Sequence, residues 1–425
     1  MKPLPEHPLP ERLASALGQG VEAIDTPALV LDLDAMERNL HRMADWARAQ
    51  GLRLRPHAKM HKSAELARLQ MAHGAVGVCV QKTDEALALA RAGVSDIFIS
   101  NEVLAPAKLL RLAHAVRELP TRFGLAVDSE RGVHALVSAL NQAGVSGRER
   151  VDVYIEIDVG HGRCGAPPGQ AALDLARLVT AAPVLRFAGL QAYHGRAQHL
   201  RTDAERRATI AQAAQAVRLT QQSLEAAGIR VHAVTGAGTG SFVHEAASGA
   251  WTEIQPGSYL FLDADYAANE ASPDAPTFEH ALFVKAQVIS RSADRAVCDA
   301  GHKSHAIDTG LPTVWAPPGL AFGNGGDEHG VLRGERLPAL GDTVWLVPNH
   351  CDPTVNLHEA LVGVRGGLFD GLVERLIRGR ARCLGLTPGD RLSALGPERP
   401  VPAPALGRRP SRLGRRRQTA PPARG

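Results

Sequence analysis

From residue 35 to about 260, short apolar runs alternate with longer stretches in which Ala, Leu, Gln and Arg recur at helical spacing. The runs at 53–59, 75–80, 95–100, 121–127, 151–157, 187–194, 231–236 and 253–259 read as strands. Between them lie amphipathic segments such as 204–227, where Ile210, Ala214, Val217 and Leu224 keep to one stripe and Gly228 supplies the stop. Strands alternating with helices in this number close most economically into a (β/α)8 barrel, with an open doubly wound sheet as the competing arrangement. Ahead of them an apolar strand at 28–33 runs into Asp34-Ala35-Met36-Glu37, which has capping-box spacing, and Met36, Leu40, Met43 and Ala47 mark a helix stripe. After residue 275 the pattern changes to strands without helices, at 281–290, 295–301, 342–352 and 360–376. This predicts a C-terminal all-β domain that the N-terminal strand joins. The expected divisions are an N-terminal segment over 1–34, the barrel over 35–270, the β-domain over 271–380 and a disordered tail over 381–425.

The first barrel strand carries an unusual face. In "RLRPHAKMHKS", residues 53–63, a period of two puts Arg53, Arg55, His57, Lys59 and His61 on one side and Leu54, Pro56, Ala58 and Met60 on the other. The apolar side suits the helix ring, so the cationic row faces the barrel interior. Unpaired buried charge is costly. Either an anion sits above the row, or the cations pair with carboxylates on neighbouring strands such as Glu156 and Asp158. Lys59 falls toward the C-terminal end of the strand, where barrel active sites are built. Desolvated among cations, it is expected to have a lowered pKa suited to Schiff-base chemistry.

Two further segments favour the anion. "TGAGTGSF" at 235–242 follows the seventh strand and "QPGSY" at 255–259 lies at the eighth. Loops in these places commonly hold a phosphate; here glycine backbone and the hydroxyls of Thr239, Ser241 and Ser258 supply donors. With a lysine on the first strand, they point to pyridoxal phosphate. In "PNHCDPTVNLHE", 348–359, His350 and Asp352 would share one face of a strand while Cys351 points away. An imidazole and a carboxylate form half of a divalent-metal site, water or substrate filling the rest; the plainer alternative is a surface hydrogen bond.

Composition removes other classes. The net charge of +4 depends on the seven arginines of residues 408–425, without which the chain carries −3, so the body gives no electrostatic argument for nucleic acid. No run approaches the roughly 20 apolar residues of a membrane span. The proline-broken N-terminus lacks a secretory apolar run, which predicts a cytoplasmic protein. Cysteines at 79, 164, 298, 351 and 383, with no CxxC, read as free thiols.

Taken together and in order, "TPALVLDLDAMERNL", "RPHAKMHKS", "VQKTDEA", "QAYHG", "TGAGTGS", "QPGSY", "DADY" and "HCDPTVNLHE" resemble the D-threonine aldolase group of the alanine-racemase fold over roughly residues 22–375. The resemblance implies a pyridoxal 5'-phosphate enzyme of this barrel type that splits a D-β-hydroxy-α-amino acid into glycine and an aldehyde, with a divalent metal. It implies Lys59 as the Schiff-base lysine and Gln81, Tyr193, Thr239, Gly257, Ser258 and Tyr266 as cofactor contacts. His350 and Asp352 become the metal ligands, and His194 the base near the β-hydroxyl. Related D-serine dehydratases carry a cysteine where Asp352 stands and use zinc, whereas a carboxylate favours Mn²⁺ or Mg²⁺. A one-residue bulge bringing Cys351 inward would favour that chemistry, and 3-hydroxy-D-aspartate remains an alternative substrate. A non-catalytic pyridoxal-phosphate carrier would resemble the barrel half alone. The resemblance also implies a homodimer.

Overall fold

The computed structural model describes residues 16–147 and 149–374; the expected tail over 381–425 lies outside the described residues. Parallel strands β2 (Arg53–Leu54), β3 (Val78–Val80), β4 (Asp96–Ile99), β5 (Arg122–Val127), β6 (Val151–Glu156), β7 (Leu185–Ala192), β8 (Val234–Gly236) and β9 (Glu253–Ile254) run in the order β2-β9-β8-β7-β6-β5-β4-β3. The ring closes beyond β2, where Val76 N–H donates to Leu54 O, Cys79 N–H to Pro56 O and Ala58 N–H to Cys79 O. The expected barrel is therefore present, and the open doubly wound sheet is not. Several strands are shorter than their apolar runs because proline or glycine ends the ladder early; β9 stops before Pro256, which has no N–H to give.

Helices follow the predicted stripes. Helix Asp203–Ala226 opens on Thr202, whose hydroxyl accepts Glu205 N–H while Glu205 accepts Thr202 N–H, each at 3.2 Å. It buries Ile210, Ala214, Val217 and Leu224. Helix Leu33–Ala49 buries Met36, Leu40, Met43 and Ala47, but its cap is Asp32, which accepts from Ala35 N–H, rather than Asp34. The longest helix is not apolar enough to cross a membrane, and neither is any other among the described residues.

The second sheet is built on β10 (Leu282–Arg291), which pairs antiparallel with β1 (Ala28–Asp32), β11 (Ala296–Cys298) and β15 (Thr343–Val347). β1 also pairs with β16 (Ala360–Arg365), so the N-terminal strand lies inside this sheet. Short strands at Thr313–Ala316, Ala321–Asn324 and Gly330–Arg333 have no counterpart in the apolar pattern, being half-exposed and glycine-rich.

Inside the barrel, Cys79, Phe98, Ala126, Tyr154, Ala188 and Ala233 form an apolar layer. Below it the cationic row meets its carboxylates. Arg53 lies 2.6 Å and Arg55 2.9 Å from Glu253, and Arg55 also bonds Asp96. The pairing alternative thus holds for these two arginines, with Glu253 and Asp96 in place of Glu156 and Asp158. Gly77 is required here, since a Cβ would come within 2.5 Å of the Arg55 guanidinium. Arg55 is 2% exposed and Glu253 fully buried. Arg55→Met is therefore expected to cost about 3–5 kcal/mol in denaturant unfolding, because it leaves a buried carboxylate underpaired; a loss below about 1 kcal/mol would contradict this assignment.

Candidate active site

Past Pro56 the first strand gives way to a turn over residues 58–61 that carries Lys59 to the barrel mouth. Buried side chains clamp the turn. Lys59 N–H donates to His57 Nδ1 (3.3 Å) and Ser63 N–H to His61 Nδ1 (3.0 Å). The other nitrogen of His61 meets Gln70 Oε1 at 3.3 Å, and Gln70 Nε2 donates to the Tyr259 hydroxyl at 3.0 Å. The Lys59 turn is thereby tied to the loop after β9. Lys59 Nζ lies 3.0 Å from Asp352 Oδ2. This neighbour overturns the expected low pKa. The Asp352 carboxylate outweighs desolvation and pushes the Lys59 ammonium up to about 12.

Asp352 does not lie on a strand. Strand β15 ends at Val347, His350 caps the helix Cys351–Leu357, and Asp352 occupies that helix's first turn. Burial raises the Asp352 carboxyl, but Lys59 and His350 hold it below its ordinary value. Its Oδ1 is buried without a partner. His350 Nδ1 lies 2.7 Å from Asp308 Oδ2, which orients the ring and leaves Nε2 for a ligand. An orphaned carboxylate oxygen beside an oriented imidazole fits a divalent cation. Among the described residues no group of three or more such ligands occurs. Cys351 does not compete: it is fully buried, its N–H donates to Asp263 Oδ2 at 3.0 Å, and burial pushes its thiol well up.

The two glycine-bearing loops meet through Thr239, whose Oγ1 accepts Tyr259 N–H at 3.0 Å. Ala237 sits at φ +68°, a left-handed conformation that lets the chain curl back after β8. Gly257 faces the lysine turn, where a Cβ would come within 3.1 Å of His57 O. A cavity of about 620 Å³ opens on the far side of these loops, walled by Thr239, Gly240 and Tyr266 together with Phe242, Phe278 and Trp315, and Lys59 and Asp352 are not among its walls. Ser258 is buried, and its carbonyl accepts Leu262 N–H at 2.7 Å. Tyr266 N–H donates to Asp263 Oδ1 at 3.0 Å, and its ring lies 5.8 Å from that of His199. Gln81 places its amide on His57 Nε2 (3.0 Å) and Ser100 O (3.2 Å). A lysine facing hydroxyl-bearing, tightly curled loops fits a phosphorylated aldehyde cofactor.

Behind the first loop Glu245 is fully buried, accepts from Ser241 Oγ at 2.8 Å and has its other oxygen unpartnered. Burial pushes its carboxyl up to about 7. The folded state therefore holds this proton more tightly than the unfolded chain, and its contribution is complete below about pH 4.5 and lost as pH rises through about 7. The stability of Glu245→Gln relative to the wild type should grow by about 3 kcal/mol between pH 4.5 and pH 8, as urea titrations at the two pH values would read; a pH-independent difference would contradict the buried carboxyl.

Tyr193 and His194 follow β7. The Arg163 guanidinium lies 5.4 Å above the Tyr193 ring. His194 is buried, and its Nδ1 accepts Ala197 N–H at 3.2 Å, so the neutral ring keeps its proton on Nε2. Arg163, Asp263 and Asp308 were missed by sequence reading. The glycine-flanked "HGRCG" at 161–165 is a signal for the first, whereas the aspartates join the site only through the fold.

The Alanine racemase, N-terminal domain family matches residues 31–265, and the serine dehydratase domain family matches 281–364. A D-threonine aldolase of Arthrobacter sp is 45% identical over 370 residues, covering 86% of this chain and 96% of the relative. A 3-hydroxy-D-aspartate aldolase of Paracoccus denitrificans (strain Pd 1222) is 40% identical over 370 residues, covering 85% and 94%. The crystal structure of D-threonine aldolase from Filomicrobium marinum is 47% identical and superposes with a TM-score of 0.82, covering 85% of this chain and 98% of that one. The chain belongs to the alanine-racemase-fold enzymes and, within them, to the D-threonine aldolase group.

Proposed function

We propose that this protein is a pyridoxal-phosphate- and divalent-metal-dependent aldolase that cleaves D-β-hydroxy-α-amino acids of the D-threonine kind to glycine and an aldehyde. The observation that carries the reading is Lys59 Nζ at 3.0 Å from Asp352 Oδ2, with Asp352 Oδ1 buried and unpartnered. Lys59, Gln81, Tyr193, Thr239, Gly257, Ser258 and Tyr266 would hold the cofactor, and His350 and Asp352 the metal, with Mn²⁺ or Mg²⁺ suited to the carboxylate. Bound there, the cofactor supplies an electron sink for the Cα–Cβ bond and the metal acidifies the substrate's β-hydroxyl.

The chain's own residues do the rest. Asp352 holds Lys59 protonated, and the clamp on residues 58–61 keeps the lysine aimed at the mouth. His194, neutral with its proton on Nε2, would offer the β-oxygen a hydrogen bond, and would serve there as a base only in the other tautomer, with the proton on Nδ1 and the Ala197 N–H bond given up. The exposed side chains of Ile307, Leu311 and Leu357 flank the His350 segment and support a homodimer that covers the mouth. We place it in the cytoplasm.

The buried Cys351 argues against the dehydratase alternative, and the second domain with its His350–Asp352 segment against a non-catalytic carrier. A second reading, 3-hydroxy-D-aspartate as substrate, is favoured by Arg163. Its carboxylate neighbour Glu156 lies 3.7 Å away and is pushed well up by burial and by Glu102, which leaves the guanidinium charge weakly neutralised. Comparing kcat/KM for D-threonine and 3-hydroxy-D-aspartate separates the two. A preference for D-threonine supports the first reading, and a preference for the diacid lost in Arg163→Met supports the second. Turnover of neither would overturn both.

A further inference from the structure

The curl of the 236–241 loop depends on a side chain outside it. Gln198, on the short turn after β7, is fully buried. Its Oε1 accepts Gly240 N–H at 2.9 Å, and its Nε2 donates to Ser241 Oγ at 2.7 Å and to the carbonyl of His194 at 3.2 Å. Its own carbonyl accepts from Asn269 Nδ2 at 2.9 Å. The packing leaves no room for side chains: a Cβ on Gly238 would come within 2.4 Å of Gln198 Oε1, and one on Gly240 within 2.5 Å of its carbonyl oxygen. A terminal amide is the side-chain group that offers an acceptor and a two-proton donor at this reach without charge. The N–H groups of Gly238 and Thr239 meet no protein acceptor among the described residues and are available to an anion.

We propose that Gln198 is a positioning residue for the cofactor's phosphate, fixing the curl of the 236–241 loop and tying it to the backbone of His194 so that both ends of the site share one frame. This rests on the pyridoxal-phosphate reading above. The physical reason is preorganisation. A loop with glycine at 236, 238 and 240 has wide conformational freedom, and ordering it at the moment of binding would cost affinity. Gln198 orders it beforehand, leaving N–H groups free for the phosphate.

The test is absorbance titration of the cofactor-free protein with pyridoxal phosphate and, separately, with pyridoxal, which lacks the phosphate. Wild type, Gln198→Met and Ser241→Ala are compared. Removing the amide's two loop bonds should weaken pyridoxal phosphate by about 30-fold, and Ser241→Ala by about 5-fold, while pyridoxal changes by less than about 2-fold in either. Equal losses for the two ligands, or no loss, would overturn the assignment. Ser241→Ala leaves the Gln198 packing in place, so the same ratio decides the matter if the Met variant does not fold. A wild type that fails to prefer pyridoxal phosphate over pyridoxal would instead bring down the cofactor reading, and this assignment with it.

Discussion

Replacing Lys59 with alanine is expected to lower D-threonine cleavage by at least about 10⁴-fold, since in the proposed role it forms the covalent link to the cofactor and acts as a unit with the rest of the site. The effect should also appear outside activity. Borohydride reduction of wild type loaded with pyridoxal phosphate should fix the cofactor on the peptide containing Lys59, and the variant should carry none. Some fold stability should be lost as well, because the substitution leaves the mostly buried Asp352 carboxylate without its ion-pair partner. Cofactor fixed on another lysine, or a variant within about 10-fold of wild type, would show that the turn at 58–61 is not the reacting end of the site.

Asp352→Asn is the second large effect. The substitution keeps shape but removes the anionic oxygen that is buried without a partner, leaving His350 as the remaining proposed ligand. Activity should fall by about 10²–10⁴-fold, and the residual rate should no longer respond to Mn²⁺ or to chelator. Cys351→Ala is the contrast. Its side chain lies in the apolar core with Val355 and Leu346, so it should lose stability but keep its metal response. A metal response that survives in Asp352→Asn and vanishes in Cys351→Ala would move the ligand role to the thiol and favour dehydratase chemistry.

What the sequence revealed and what it concealed follow from range. Barrel strands such as Val151–Glu156 were legible because a short β-rich run is a local signal, and the stripe Ile210, Ala214, Val217 and Leu224 because one helix buries it. The loops 235–242 and 255–259 announced themselves through glycine and their position after the last barrel strands. The short strands at 313–333 did not, since half-exposed segments lack an apolar period. The spacing of His350 and Asp352 suits a strand face equally well, and only the cap at His350 shows that a helix begins there. The pKa of Lys59 was misjudged for a related reason. Its local neighbours are cations, and the carboxylate that decides the matter comes from the other sheet's connection far along the chain. Gln198 was invisible because a lone glutamine in a loop carries no pattern.

The most direct test of the whole account is product analysis of the purified protein, loaded with pyridoxal phosphate and Mn²⁺ and incubated with D-threonine. Glycine and acetaldehyde in equal amounts, abolished by excess chelator and restored by Mn²⁺, are the predicted result. Chelator-insensitive cleavage, or ketobutyrate and ammonia in their place, would contradict it.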